Sequence, residues 1–235
     1  IDGLAATVPA EAVDTLKREP SIRALSANHA VRFENVTYDE ASTGSNFAKT
    51  SGATSAWGRS LYGTGVGVAV IDTGISSMAD FGRRVVFGPD LSGEGTTVDT
   101  YGHGTVMAGA AGGSGADSAA SGKGLYAGVA PKSTLVAVKV AGRNGVADVS
   151  TILQGMHWVS AYKDQYNIRV LNLSWGTTST QDPAVDPINY AVQRLWQQGI
   201  VVVVAAGNSG PGAGTILKPA DDPLVITAGA YDDRQ

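Results

Sequence analysis

The sequence predicts an α/β fold: a three-layer parallel sheet with helices on both faces, plus a small α+β segment at the front. Three observations predict it. Short, nearly continuous apolar runs recur at residues 66–71, 135–140, 170–173, 200–206 and 224–228. Runs that are apolar throughout, rather than alternating, suit strands buried on both faces. Helix-period patterns lie between them, at 150–162 and 187–198. Strand and helix in alternation give a parallel sheet wrapped on both sides, with right-handed crossovers. Finally, 235 residues, 43% hydrophobic and only 16% charged, suffice for one sizeable core, or one domain and a small appendage.

Residues 1–34 read as strand, helix, strand. Residues 4–8 are a short apolar run, and Pro9 stands where a helix can start. Ala12, Val13 and Leu16 share one helix face, and Pro20 ends the pattern. Strand-like stretches follow around Ala24-Leu25 and Ala30-Val31-Arg32-Phe33. So small a unit needs a larger body to pack on. Residues 35–56, rich in Ser, Thr, Asn, Gly and Ala, read as linker and first surface loops. Residues 57–235 carry the strand and helix alternation. Within them, residues 111–124 read as a flexible surface loop.

Bulk properties exclude several functions. A net charge of −4 gives no footprint for nucleic acid, and no apolar run is long enough to span a membrane. The chain has no cysteine, which rules out a thiol nucleophile, a zinc–thiolate site and disulfides.

Three motifs carry chemistry. Asp72 ends the apolar run Val68-Ala69-Val70-Ile71 and precedes Thr73-Gly74. In an open α/β sheet, ligands gather at the carboxyl ends of strands. A carboxylate there can orient a histidine, although an Asp at such a point also caps turns. His103 stands between Gly102 and Gly104, ahead of a helix of small residues, and histidine is the usual general base near neutral pH. His29, in a polar turn, and His157, inside a helical pattern, fit structural roles better. Asn208 follows residues 200–206 in Gly207-Asn208-Ser209-Gly210. Its amide can donate to a developing oxyanion, while by itself it reads as a turn residue.

In this order and on this frame, the motifs resemble those of the subtilisin-like serine proteases, the subtilases. The resemblance covers residues 57–230. It includes Tyr126-Ala127-Gly128-Val129-Ala130-Pro131, then Val138-Lys139-Val140, and Val170-Leu171-Asn172-Leu173-Ser174-Trp175-Gly176. It implies an Asp-His-Ser endopeptidase in which Asp72 orients His103, His103 is the general base and Asn208 is the oxyanion donor. It further implies that Gly145, Val146 and Ala147 form the edge pairing with an extended peptide, and that Ser174, Trp175 and Gly176 form the opposite wall. Val149 and Ile152 resemble the apolar lining further along. Ala205, Ala206 and Gly207 resemble the wall of the primary specificity pocket, implying a roomy, uncharged pocket.

The first segment also resembles the family, through Gly3-Leu4-Ala5-Ala6, Val13-Asp14-Thr15-Leu16 and Glu19-Pro20-Ser21-Ile22-Arg23-Ala24-Leu25. These are similar to the second half of the inhibitory propeptide; a plain N-terminal extension is the other reading. A propeptide would lay residues 32–35 along the groove and rest its helix on the catalytic domain.

The family's nucleophile sits in a Gly-Thr-Ser-Met-Ala-like segment, and no such segment occurs here. The chain therefore reads as part of a larger precursor, with the serine elsewhere or on a second chain. The partners implied are peptide or protein substrate and the chain's own propeptide, with no nucleic acid and no membrane; by analogy with the family the protein is secreted. No cofactor is required. Structural calcium is a family habit, for which Asp80, Asp90, Asp182 and Asp186 are candidate ligands without an identifying spacing. The alternatives are a non-catalytic, peptide-binding pseudoprotease and a flavodoxin- or Rossmann-like domain. The last fits poorly, because Gly63-Thr64-Gly65-Val66-Gly67 precedes its strand instead of following it.

Overall fold

A computed structural model describes residues 3–28, 30–33, 47–123 and 125–230. Residues 1–2, His29, residues 34–46 with most of the expected linker, Gly124 and residues 231–235 lie outside the described residues.

The sheet is fully parallel and six-stranded, in the order β3-β4-β2-β6-β8-β9. Its strands are β2 (Gly67–Asp72), β3 (Val85–Asp90), β4 (Thr134–Lys139), β6 (Ile168–Leu173), β8 (Val201–Ala205) and β9 (Ile226–Ala228). A separate three-stranded antiparallel sheet joins β1 (Ala30–Phe33) to β5 (Val146–Asp148) on one side and β7 (Trp175–Gly176) on the other. The helices are α1 (Val13–Lys17), α2 (Phe47–Thr50), α3 (Ala53–Gly58), α4 (His103–Gly112), α5 (Ala116–Ala120), α6 (Val149–Tyr162) and α7 (Pro187–Gln197).

The two-sided burial of the sheet explains its unbroken apolar runs. Ala69 and Ile71 of β2 join a core with Ile152, Met156 and Val159 of α6 and Val192 and Leu195 of α7. The alternate residues Val68 and Val70 join a second core with Ala108 of α4, Phe81 and Leu135. Every β2 residue is buried, so neither pleat face tolerates a polar side chain until the strand ends. The termini of α7 follow local chemistry. Asp186 accepts hydrogen bonds from the amides of Ile188 (2.9 Å) and Asn189 (3.2 Å), and Pro187 takes the first helical position.

One face of the sheet is only partly covered. The register aligns Val68 with Val170 and Val170 with Val201, and aligns Asn172 with Val203 and Val203 with Ile226. Helix α4 covers this face at β2 and β4. Further along it, Val201 is 39% and Ile226 49% exposed, although their sequence is that of core strands.

Several local expectations need correction. Two short helices, α2 and α3, lie largely within the stretch 35–56 expected as linker and loops, and bury Ala48 and Ala53. Within 111–124, helix α5 replaces the expected loop, with the amide of Asp117 bonded to the Asp80 carboxylate (2.8 Å). Strand β3 was missed, since Gly88 and Pro89 interrupt its apolar run. In the first segment, residues 4–8 and 24–25 are not strands. Helix α1 forms after a 3-10 turn at Ala10–Ala12; neither holds a fully buried residue, but Ala12, Val13 and Leu16 of the expected face are half-buried. A hydrogen-bonded contact is made further on. Asn28 donates to Ser150 Oγ (3.2 Å) and accepts from the Ser150 amide (3.0 Å), at the start of α6.

Candidate active site

Asp72 ends β2, at the carboxyl edge of the sheet and in register with Lys139, the last residue of β4. His103 begins α4. Asp72 is fully buried and His103 is 7% exposed. The imidazole Nδ1 lies 2.8 Å from one Asp72 oxygen and 2.9 Å from the other. This contact requires Gly104. A Cβ there would collide with the Gly74 carbonyl oxygen and stand 3.1 Å from Asp72 Oδ1. Only glycine lets the first turn of α4 approach the end of β2 so closely. Burial pushes the Asp72 carboxyl upward, while His103 and the Thr73 amide, 2.7 Å away, pull it back. The pair fixes the imidazole orientation and leaves Nε2 as the ring nitrogen that can exchange a proton with a substrate-side group.

A loop over residues 91–102 underlies this pair, and sequence reading missed its role. Lys139 is almost completely buried and donates to the carbonyls of Thr73 and Val98, both at 2.8 Å. It pairs with Glu94 at 3.2 Å. The Glu94 carboxyl is held at about 2, chiefly by the Thr100 hydroxyl and then by the Arg143 amide. Glu94 thus ties residue 143, beside β5, to the loop preceding His103. The only sequence hint was a lysine ending a buried apolar strand, which demands a partner.

Asn208 lies just beyond β8, on the same carboxyl edge, and its side chain is exposed. β8 lies two positions from β2, with β6 between them. Asn208 and His103 therefore both lie at the carboxyl edge of the sheet.

The groove residues are placed unequally. β5 and β7 flank an extended chain, β1, in antiparallel register: Val31 opposite Ala147, Arg32 opposite Val146 and Gly176, Phe33 opposite Trp175. Residues 34 and 35 of the same expectation lie outside the described residues. Gly145 is in the turn before β5 rather than in the pairing, and Asp148 takes the third paired position. The Trp175 side chain is fully buried, with its indole N–H donating to the Ile71 carbonyl (3.1 Å), so it contributes backbone to the groove and packing to the core. Val149 and Ile152 are likewise core residues, 7% and 0% exposed. Ser174 is half-buried and accepts from the Asn172 amide group (2.9 Å).

A residue that the sequence did not single out lies between the stretches expected to form the two walls. The Leu217 amide donates to the Ala206 carbonyl (3.0 Å), and Thr177 and Lys218 exchange two backbone bonds of 3.0 Å. This lays the Leu217 side chain between the walls. A Cβ at Gly176 or at Gly207 would come within 2.6 Å or 2.8 Å of it.

The candidate calcium ligands serve turns and caps: Asp80 binds the Asp117 amide, Asp90 the Ser92 and Thr96 amides, Asp182 the Ala184 amide, and Asp186 caps α7. Among the described residues, no three His, Asp or Glu side chains come together to hold a metal ion. No helix among them is long and apolar enough to cross a membrane.

Comparison with known proteins agrees with this architecture. The subtilase family profile matches residues 63–235. Serine protease AprX of Bacillus subtilis (strain 168) is 39% identical over 182 residues, covering 75% of this chain and 40% of that protein. Subtilisin Savinase of Lederbergia lenta is 40% identical over 182 residues, covering 77% of this chain and 61% of that protein. Minor extracellular protease Epr of Bacillus subtilis (strain 168) is 31% identical over 243 residues, covering 100% of this chain and 35% of that protein. The chain spans between about a third and three fifths of the length of these relatives. With the profile running over most of the chain, this protein belongs to the subtilase family.

Proposed function

We propose that this chain forms the major part of a serine endopeptidase, with the nucleophilic serine supplied by a segment outside these residues. The observation that carries the reading is the buried contact of His103 Nδ1 with both Asp72 oxygens. In that arrangement Asp72 holds the imidazole tautomer, and His103 Nε2 takes the serine proton and later returns it to the leaving amine. Asn208 donates to the oxyanion that forms between these steps. The partly covered face over β6, β8 and β9, with Val201 and Ile226 exposed, is where we place the segment that brings the serine. Apolar strand residues of this kind call for a packing partner. We assign β1 the role of an inhibitory propeptide tail. Its pairing with β5 and β7 is the strand addition by which an extended peptide is recognised. A peptide or protein substrate would bind in its place. The name of Epr, and the family, support a secreted protein.

The test uses a serine-directed fluorophosphonate. The chain of 235 residues alone is expected to remain unlabelled and not to turn over a peptide. Joined to its downstream segment, or mixed with a second chain carrying it, it is expected to label on a serine of that segment and to hydrolyse peptides. Labelling of Ser174 or Ser209 would overturn the assignment of the nucleophile. Peptide binding in the groove without labelling of the joined protein would identify a peptide-binding pseudoprotease instead.

Leu217 makes a second expectation about the joined enzyme. Leu217→Gly is expected to raise turnover of substrates with phenylalanine before the scissile bond, relative to alanine, by about tenfold or more, the scale at which a pocket discriminates added methylenes. The measurement is kcat/KM on paired tetrapeptide substrates. An unchanged phenylalanine-to-alanine ratio would show that Leu217 does not limit the pocket.

A further inference from the structure

We infer that Asp99 is the positioning residue of the Asp72–His103 pair: its carboxylate clamps the end of the strand carrying Asp72 to the first turn of the helix carrying His103. The inference rests on reading Asp72 and His103 as orienting acid and general base, and it adds a third group that touches neither substrate nor reacting atoms.

Asp99 receives five hydrogen bonds. Its Oδ1 accepts from the Thr73 hydroxyl (2.8 Å) and from the amides of Tyr101 (3.0 Å) and Gly102 (2.7 Å). Its Oδ2 accepts from the amide (2.8 Å) and the hydroxyl (2.6 Å) of Thr105. Each of the two hydroxyls in turn accepts an amide from the opposite segment. Thr73 Oγ1 takes the Gly104 amide of α4 at 2.9 Å, and Thr105 Oγ1 takes the Ser76 amide, just beyond β2, at 3.0 Å. The bracket is reciprocal and closes on one carboxylate. An ionised carboxylate is acceptor-only at both oxygens, and this geometry needs both. An asparagine would turn a donor toward Thr105 or toward Thr73. The carboxylate also satisfies amides at the start of α4, where the helix leaves its own donors unpaired and favours negative charge.

Burial opposes ionisation of Asp99, but the bonds from Thr105, Gly102 and Thr73 outweigh it and hold the carboxyl below its ordinary range. Asp99 therefore stands as a fixed negative charge beside the pair. The other charged groups around it are Asp72 on β2, His103 on α4, Lys139 at the end of β4 and Glu94 in the same loop. The last two pair with each other at 3.2 Å.

The experiment needs no nucleophile and uses this chain, with histidines labelled for NMR. The signal read is the far-downfield proton of the Nδ1 hydrogen bond to Asp72, whose lifetime reports how tightly the pair is held. His157 serves as the internal reference. Asp99→Asn, which puts a donor where the bracket needs an acceptor, is expected to shorten the lifetime of the Nδ1 proton. Thr73→Val keeps the carboxylate but cuts the bridge to Gly104, so it too is expected to shorten that lifetime. A folded Asp99→Asn protein with an unchanged Nδ1 proton lifetime overturns the inference. If that variant fails to fold, an unchanged Nδ1 proton in Thr73→Val overturns it. An unsubstituted chain with no Asp72–His103 proton would remove the pair itself, a pattern distinct from a pair that is present and indifferent to Asp99.

Discussion

In the complete enzyme, His103→Ala is expected to lower turnover by about 10⁶-fold and Asp72→Asn by about 10⁴-fold. These magnitudes are taken from subtilisin and chymotrypsin-type enzymes rather than calculated from this geometry. The direction and the difference follow from the site. Without the imidazole no group in the described structure stands ready to accept a serine proton. With Asn at 72 the side chain keeps its size, but its amide nitrogen can present a donor to Nδ1, which already carries a proton in the working tautomer. The ring then turns or changes tautomer and Nε2 ceases to be the acceptor. The Asp72 carboxyl is fully buried, so the substitution has no water to soften it. Turnover of a peptide substrate, with folding checked by circular dichroism, measures both. A His103→Ala enzyme within tenfold of the unsubstituted rate would sink the general-base assignment, and an Asp72→Asn enzyme within tenfold would sink the orienting role.

Asn208→Ala is expected to cost about 10²–10³ in turnover while KM stays within about twofold. That figure too belongs to subtilisin, a member of this family. The split between kcat and KM is the informative part. A donor aimed at the oxyanion bonds weakly to the ground-state carbonyl and strongly to the charge that develops, so its loss appears in kcat. A groove residue that merely held the peptide would raise KM instead. Asn208 follows β8 in a bend, so truncation there leaves the strand and its core contacts intact. Turnover within twofold of the unsubstituted enzyme would remove Asn208 from the oxyanion site.

Much of the fold was legible because burial on both sheet faces writes itself into sequence. Strands β2, β4, β6, β8 and β9 fall within a few residues of the apolar runs, and α6 and α7 match their helical periods. β3 was not legible, since Gly88 and Pro89 break its run and only its pairing with β4 makes it a strand. α5 was hidden by its Ser, Gly and Ala composition and is held by tertiary contacts such as Asp117 with Asp80. At the site, Asp72 and His103 stood out because each motif places a reactive side chain against glycines or a strand end. Glu94 and Lys139 did not, because partners of each lie far along the chain, and Asp99 did not, because its bonds to Tyr101, Gly102 and Thr105 look like an ordinary local turn until the fold brings Thr73, 26 residues away, onto the same carboxylate. Lys139 reaches Thr73, a separation of 66 residues, and Glu94 reaches Arg143 across 49.

By itself, then, the sequence determined a doubly covered parallel sheet, the family resemblance, the candidate acid and base, and the lack of a family-type serine segment among these residues. Local rules suffice for that, since periodicity, strand length and short motifs depend on near neighbours. The tertiary structure alone decided that His103 meets both Asp72 oxygens, that Asp99 closes a bracket around them, the register in which residues 30–32 pair with β5, and that Leu217 lies between Gly176 and Gly207. Each of these depends on backbone segments brought within a few ångströms by packing of the whole sheet. No local preference encodes such distances.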